Sequence, residues 1–353
     1  MKTMRKTMIL IGIVLACCLA RADKAYLGIR VEDAVSHAPL QGAKVVANFE
    51  DDIGWRAWTD SANPDIAEGF TDKHGFCRLS GKTNCGRSSV WVDKAPKGYY
   101  EAAYGGVAKY TRKSLFGTWQ PEDVVITVAL QRVEHPIPLY VRHADIRNDK
   151  GQLGGFDGTD AVLRYDFVKG DWLPPAGEGC FADMTIRTRY DLWSVISNRT
   201  DVLYFYDFIN EIEFSGEGNG MYEESFAGKN CGIKFRNAPE SGYAHSKTLR
   251  FGSKKDIFGK NGVNVFMKYY TESDKERCYC FRIRSRYDDK GELIEAYYGK
   301  IYGDINFEGS FMTGFKRVKF LYYFNPESLD RNLEWDMKNN FCPAPGNIGQ
   351  PKP

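Results

Sequence analysis

The sequence is poor in the residues that carry most enzyme chemistry. Its five histidines, His37, His74, His135, His143 and His245, include none in His-x-x-Glu or His-Glu-x-x-His spacing, so the paired ligands of a catalytic zinc are missing. No Gly-x-Ser-x-Gly occurs, which excludes the nucleophile elbow. There is no Cys-x-x-Cys, and helical periodicity is nearly absent. Beyond residue 20 no apolar run approaches the roughly 20 residues that cross a bilayer, Val124 to Leu130 being one strand long. Charge of one sign is also lacking: 48 Lys and Arg stand against 46 Asp and Glu. No cofactor is expected.

What is present at the N-terminus sets an address. Lys2, Arg5 and Lys6 precede an uncharged run from Thr7 to Ala20, and Ala20-Arg21-Ala22 offers small residues where a signal peptidase reads. Residues 1–22 are therefore expected to be a secretory signal peptide. A competing reading takes Val14-Leu15-Ala16-Cys17 as a lipobox with Cys17 acylated. Either way the chain is expected to be secreted, periplasmic or cell-envelope associated in a bacterium, with no transmembrane span and a lipid anchor only in the second case. Removing residues 1–22 takes four of the 48 bases and no acid, leaving 44 against 46, so nucleic acid is not an expected partner.

Seven cysteines remain beyond the leader: Cys77, Cys85, Cys180, Cys231, Cys278, Cys280 and Cys342. Export predicts disulfides among them, with at least one thiol left over. Cys77 and Cys85 are spaced for a local bridge. Cys278-Tyr279-Cys280 lies in a strand pattern with both sulfurs on one face, each needing its own partner.

Short alternating runs between turn signals dominate the remainder, the pattern of sandwiches and barrels. Leu27, Ile29 and Val31 alternate, then Val45, Ala47 and Phe49, read as two strands joined by a hairpin. Glu50 to Phe70, with Trp55 and Trp58, reads as a long loop. The stretch Gly75 to Thr83 ends in Gly-Lys-Thr but is no phosphate loop: five residues separate Gly75 from Gly81 where four are required, and a strand rather than a helix follows. Asp72 and Gly75 instead predict a tight turn feeding a strand from Phe76.

Val31-Glu32-Asp33, Pro39-Leu40-Gln41-Gly42-Ala43-Lys44-Val45, Thr71-Asp72-Lys73-His74-Gly75-Phe76 and Gly98-Tyr99-Tyr100 resemble the carboxypeptidase regulatory-like domain. The resemblance implies a transthyretin-like, seven-stranded Greek-key sandwich over residues 23–132 that is a non-catalytic accessory. Residues 133–138, with Pro136 and Pro138, are expected to be a stiff link. Residues 139–341 read as a second, larger β-sandwich of jelly-roll kind, with eight to ten strands. Residues 342–353 read as a disordered tail. Phe167 to Pro175 and Asn325-Pro326 with Asp330 to Asp336 resemble uncharacterised bacterial envelope proteins, which implies a class and no activity.

Ligand contact is expected, if anywhere, at Asp171 and Trp172 and at Glu334, Trp335 and Asp336, because sugars stack on aromatic faces and glycosidases need two carboxylates. In a strand Glu334 and Asp336 share a face and Trp335 points away from them. Ser215 to Gly220 reads as a flexible glycine-rich loop. Arg282, Arg284 and Arg286 read as a stripe paired across the sheet with Glu292 and Glu295. No residue is expected to be catalytic or to bind metal. The whole reads as a non-catalytic, exported all-β binding or structural protein whose partner is a glycan or another envelope protein. The alternatives are a glycan-active enzyme using a carboxylate pair in the second sandwich, and a subunit of a surface assembly.

Overall fold

The structure, a computed structural model, describes residues 24–50, 65–101, 105–114, 117–147, 160–197, 202–226, 233–258, 264–272, 274, 277–310 and 315–342. The leader with Cys17, Trp55, Trp58, Cys231, the Asn148 to Gly151 turn and residues 343–353 of the expected tail lie outside these. Every regular element among the described residues is a β-strand. The chain divides into two compact units, residues 1–134 with 230–232, and residues 135–229 with 233–353.

In the first unit β1 (Lys24–Asp33) pairs antiparallel with β4 (Phe76–Lys82) and parallel with β9 (Val125–Leu130). The facing sheet runs β3 (Asp65–Phe70), β2 (Lys44–Phe49), β5 (Arg87–Lys94), β6 (Gly106–Lys109), and β7 (Arg112–Lys113) and β8 (Trp119–Gln120) form a ribbon. Alternation fixes which side chains meet: Leu27, Ile29 and Val31 from β1 share one core with Val45, Ala47 and Phe49 from β2 and Val90 and Val92 from β5. The seven strands of the two sheets make a sandwich.

The hairpin expected between β1 and β2 does not form, because the two strands lie in opposite sheets. Each buries its alternate side chains, and an arch brings those inner faces together where a tight turn would have held both in one layer. Asp33 starts the arch by accepting the N–H groups of Val35 and Ser36 at 3.0 and 2.8 Å, and Thr71 ends it by donating to Leu40 O and accepting from Ala43 N. The Asp72 turn forms as expected: Asp72 Oδ1 accepts from His74 and Phe76, and Gly75 has φ +68°. Gly81 of the Gly-Lys-Thr stretch lies against the Phe49 ring, where an added Cβ would stand 2.2 Å away.

The second unit holds β10 (Ile137–Arg147), β11 (Asp160–Asp166), β12 (Asp171–Trp172), β13 (Met184–Ser197), β14 (Val202–Phe214), β15 (Gly220–Ser225), β16 (Ser246–Phe258), β17 (Asn264–Thr271), β18 (Arg277–Tyr287), β19 (Leu293–Ser310), β20 (Phe315–Asn325) and β21 (Trp335–Asn340). One six-stranded sheet has the order β12-β11-β13-β14-β16-β17, the other β15-β18-β19-β20-β10-β21. The expected link is in part strand, since Ile137 and Pro138 open β10. Between the sheets pack Tyr165, Phe167, Met184, Ile186, Ile212 and Phe214 from one layer and Tyr279, Phe281, Ile301, Phe320 and Phe324 from the other. Phe167 stacks on Phe281 with ring centroids 4.1 Å apart.

The cysteine expectation is corrected. Cys77, Cys85, Cys180, Cys278, Cys280 and Cys342 are all free thiols, and the Cys77–Cys85 bridge is not made. Cys77 is buried in the first core, whereas Cys85 donates to Glu50 O at 3.2 Å, so the two sulfurs face different surroundings.

Candidate functional site

Sheet pleat gives β18 two faces, and the outer one is covered. Phe281 and Ile283 point into the sandwich, leaving Cys278 and Cys280 on the opposite side. The register places Tyr222, Cys280, Lys300 and Tyr323 directly across from one another on β15, β18, β19 and β20. Two irregular segments lie over this row. Residues 233–245 and 326–334 join each other through Ala238 N to Arg331 O (2.8 Å), Leu333 N to Arg236 O (2.6 Å) and a bridge between Asn237 and Asn332. Ala238 and Leu333 then bury against Cys280, Ala296 and Tyr298.

Beneath these straps sits an ionic cluster. Lys300 is 1% exposed, donates from Nζ to Phe235 O at 3.3 Å, and holds Nζ 5.0 Å from the centre of the Tyr323 ring. Burial pushes its ammonium down to about 8, against the partial support of Cys280, Cys278 and Glu334. Arg236 Nη1 lies 2.7 Å from Glu334 Oε1 without an N–H aimed at it, an ion pair rather than a hydrogen bond. Glu334 Oε2 accepts the His135 N–H at 2.9 Å. Burial also drives the Cys280 thiol well up from its ordinary value.

A buried amine beside a carboxylate has the makings of a base or nucleophile. Here the amine is shut from solvent and held by a carbonyl and a ring, so the cluster fastens the straps to the sheet.

The residues singled out in the sequence are therefore placed as follows. Glu334 belongs to this cluster, but Asp336 does not join it: Asp336 caps a turn, accepting from Lys338 N and Asn339 N. The acids do not form a pair. Trp335 is 4% exposed, packs on Tyr323 at 5.9 Å and donates Nε1–H to Asn339 O. Trp172 is 5% exposed, edge-on to Tyr165 at 4.8 Å. Asp171 accepts from Trp172 N and Glu178 N. Neither tryptophan offers a face to a ligand, because each fills a gap in packing next to a turn.

The arginine stripe is broken by a bulge. Register shifts between Ile283 and Arg286, and Arg284 takes φ +54°. Arg286 does pair with Glu295, Nε to Oε2 2.5 Å. Arg284 instead reaches two buried acids, Asp166 (2.8 Å) and Asp183 (2.9 Å). Asp166 also accepts from Val168, Lys169, Cys180 and Phe181, and Asp183 from Phe167. Burial raises the Asp183 carboxyl despite Arg284. With their oxygens engaged by backbone amides and one guanidinium, these acids organise the loop from Phe167 to Asp183. The glycine-rich loop is pinned as well: Gly218 O accepts from Arg282 Nε at 2.6 Å, and Asn219 Oδ1 from Ser285 N.

Lys300, Arg236 and Asp183 went unmarked in the sequence. Lys300 occupies the polar phase of an alternating strand, where a solvated lysine would read the same, and Arg236 lies in a stretch without periodicity.

No known family's sequence profile matches the chain, and no curated protein matches it. Solved structures give low-scoring likenesses. The pilus 2b backbone protein of group B streptococcus is 19% identical over 31% of this chain and 41% of its own, with a TM-score of 0.21. A streptococcal ancillary pilin is 14% identical over 56% of this chain and 55% of its own, at 0.22. The full-length major pilin SpaD of Corynebacterium diphtheriae is 11% identical over 77% and 91%, at 0.24. The chain thus spans about half the length of the first two. Scores at this level do not establish a common fold.

Proposed function

We propose that the protein is a non-catalytic structural subunit of a bacterial surface or envelope assembly, built from β-sandwich modules and joined to neighbours by strand addition. The observation that carries this reading is β17. Among the described residues it ends its sheet, pairing with β16 along one side from Asn264 to Thr271. Its eight residues, Asn-Val-Phe-Met-Lys-Tyr-Tyr-Thr, contain no proline and no acid, and Lys268 is the one charge in it that opposes a further strand. By contrast β12 at the other end of that sheet is two residues long, and β15 in the second sheet is bridged at Met221 by Ala244. The charged leader and the burial of Trp172, Trp335 and Glu334 support an exported structural part over a sugar platform or a hydrolase.

The test is the size of the purified chain by light scattering across concentration. Neighbouring N–H groups on a strand point in opposite directions. Of Phe266→Pro and Met267→Pro, one therefore removes only an outward donor and is expected to fold yet fail to associate. A wild-type chain that stays monomeric at every concentration overturns the reading.

A further inference from the structure

The outer face of the β4-β1-β9 sheet carries cations that it does not neutralise. With Ala25, Leu27, Ile29 and Val31 turned into the core, β1 presents Lys24, Tyr26, Gly28 and Arg30 on its other side. The register sets Lys82, Ser80, Arg78 and Phe76 of β4 directly beside them. Gly28 has no side chain, and the Phe76 ring lies over the gap, 2.9 Å from where a Cβ would stand. Two aromatic rings thus floor a strip that runs about 20 Å from Lys24 to Arg30. Lys24 Nζ lies 5.3 Å and Arg78 Cζ 5.2 Å from the centre of the Tyr26 ring, which holds both cations in place. Arg30, Arg78 and Lys82 are exposed, and Lys24 is half-buried. The acids at the rim are engaged elsewhere. Glu32 meets His37 Nδ1 at 2.8 Å, Asp65 accepts the Lys82 N–H at 2.8 Å, and Glu122 accepts from Gln120 Nε2 at 2.9 Å while its carbonyl takes Arg78 Nη2 at 3.5 Å. Among the described residues none of the four cations pairs with a carboxylate.

We propose that this strip binds an acidic polysaccharide, a linear sugar chain with carboxylates on successive rings. Carboxylates answer the four cations, two of which are arginines whose planar forks take both oxygens of one group. Sugar rings answer the floor, because their C–H faces are apolar and Tyr26 and Phe76 offer flat apolar area. An added peptide strand has no place here, since β1 is already paired on both sides, by β4 and β9. The chain as a whole, with 48 bases against 46 acids, supplies no wider positive field to draw nucleic acid. The strip lies in the first unit and β17 in the second, so this inference stands apart from strand addition.

The experiment titrates the full chain with polygalacturonate by calorimetry at low salt. Binding is expected, weakening as salt screens the charges and disappearing for the same polymer with its carboxyls methyl-esterified. Arg78→Gln and Lys82→Gln are each expected to lower the affinity about two- to fivefold. Their Tm stays at the wild-type value, because both side chains are exposed and neither has an acid partner to lose. Tyr26→Leu, which keeps bulk but frees the two cations, weakens binding as well, whereas Lys290→Gln on an exposed turn of the second unit does not. No binding, equal binding to the methyl ester, or wild-type affinity in the variant carrying both Arg78→Gln and Lys82→Gln overturns the proposal. So does equal or tighter binding of polyglutamate or of duplex DNA, which carry their charge on a different backbone.

Discussion

At the scale of single residues the second unit is governed by buried charge. Lys300 illustrates the sign of such effects. With its ammonium lowered from 10.5 to about 8 in the fold, the unfolded chain binds more protons between those values, so stability rises with pH across that window. Below pH 8 the full penalty stands, about 3 kcal/mol for a shift of this size. Facing groups act in the opposite sense: the Cys278 and Cys280 thiols, raised from 9.0, remain protonated in the fold when the unfolded chain has ionised them, and remove stability at higher pH. Glu334 and Arg236 also face the ammonium. The prediction is therefore a difference. Chemical denaturation at pH 7 and pH 9 should show Lys300→Met stabilised relative to wild type at pH 7, by up to about 2 kcal/mol after about 1 kcal/mol for the lost bond to Phe235 O, with the gap shrinking as pH rises. A gap unchanged between the two pH values would contradict the buried charge.

At the scale of elements, small residues decide where large ones fit. Gly299 in β19 stands opposite Phe281, and a Cβ there would lie 2.1 Å from the ring that stacks on Phe167. The backbone cannot yield, because β19 is paired on both sides by β18 and β20. Gly299→Ala is expected to destabilise by about 1–3 kcal/mol or more through overpacking, read from the denaturation midpoint at unchanged slope. A neutral result would mean that the ring has room to move. The strands themselves were largely legible. The alternation in residues 202–214 and 279–283 marks β14 and the centre of β18, and the Asp72 and Asp288 turns form with Gly75 and Gly291 at positive φ. The strands β16 and β17 went unread, since Ser246 to Phe258 mixes lysines into both phases of its pattern. The bulge at Arg284 was equally invisible: its cause is the distant acids Asp166 and Asp183.

At the scale of the whole molecule each unit carries its own core, one centred on Leu27, Ile29, Val45 and Phe49, the other on Tyr165, Phe167, Phe281 and Phe320. Each core is of a size that folds as a unit. Calorimetry is expected to resolve two transitions, with Ile29→Ala lowering one and Phe281→Ala lowering the other, each truncation costing about 2–5 kcal/mol. A single transition moved equally by both variants would show one cooperative block.

The sequence by itself determined the class of the fold, because strand alternation, turn residues and core composition are local properties that each segment carries alone. It also lacks the spacings of a phosphate loop and of paired zinc ligands, which are local patterns too. Only the tertiary structure decided that β1 and β2 belong to opposite sheets, that Trp172 and Trp335 are buried, and that Lys300 lies beneath two straps. Burial on the outer face of a sheet depends on which remote segment comes to cover it, and residues 233–245 and 326–334 carry no periodic signal of that destination. The same tryptophan or lysine in the same strand would face water had those segments folded elsewhere.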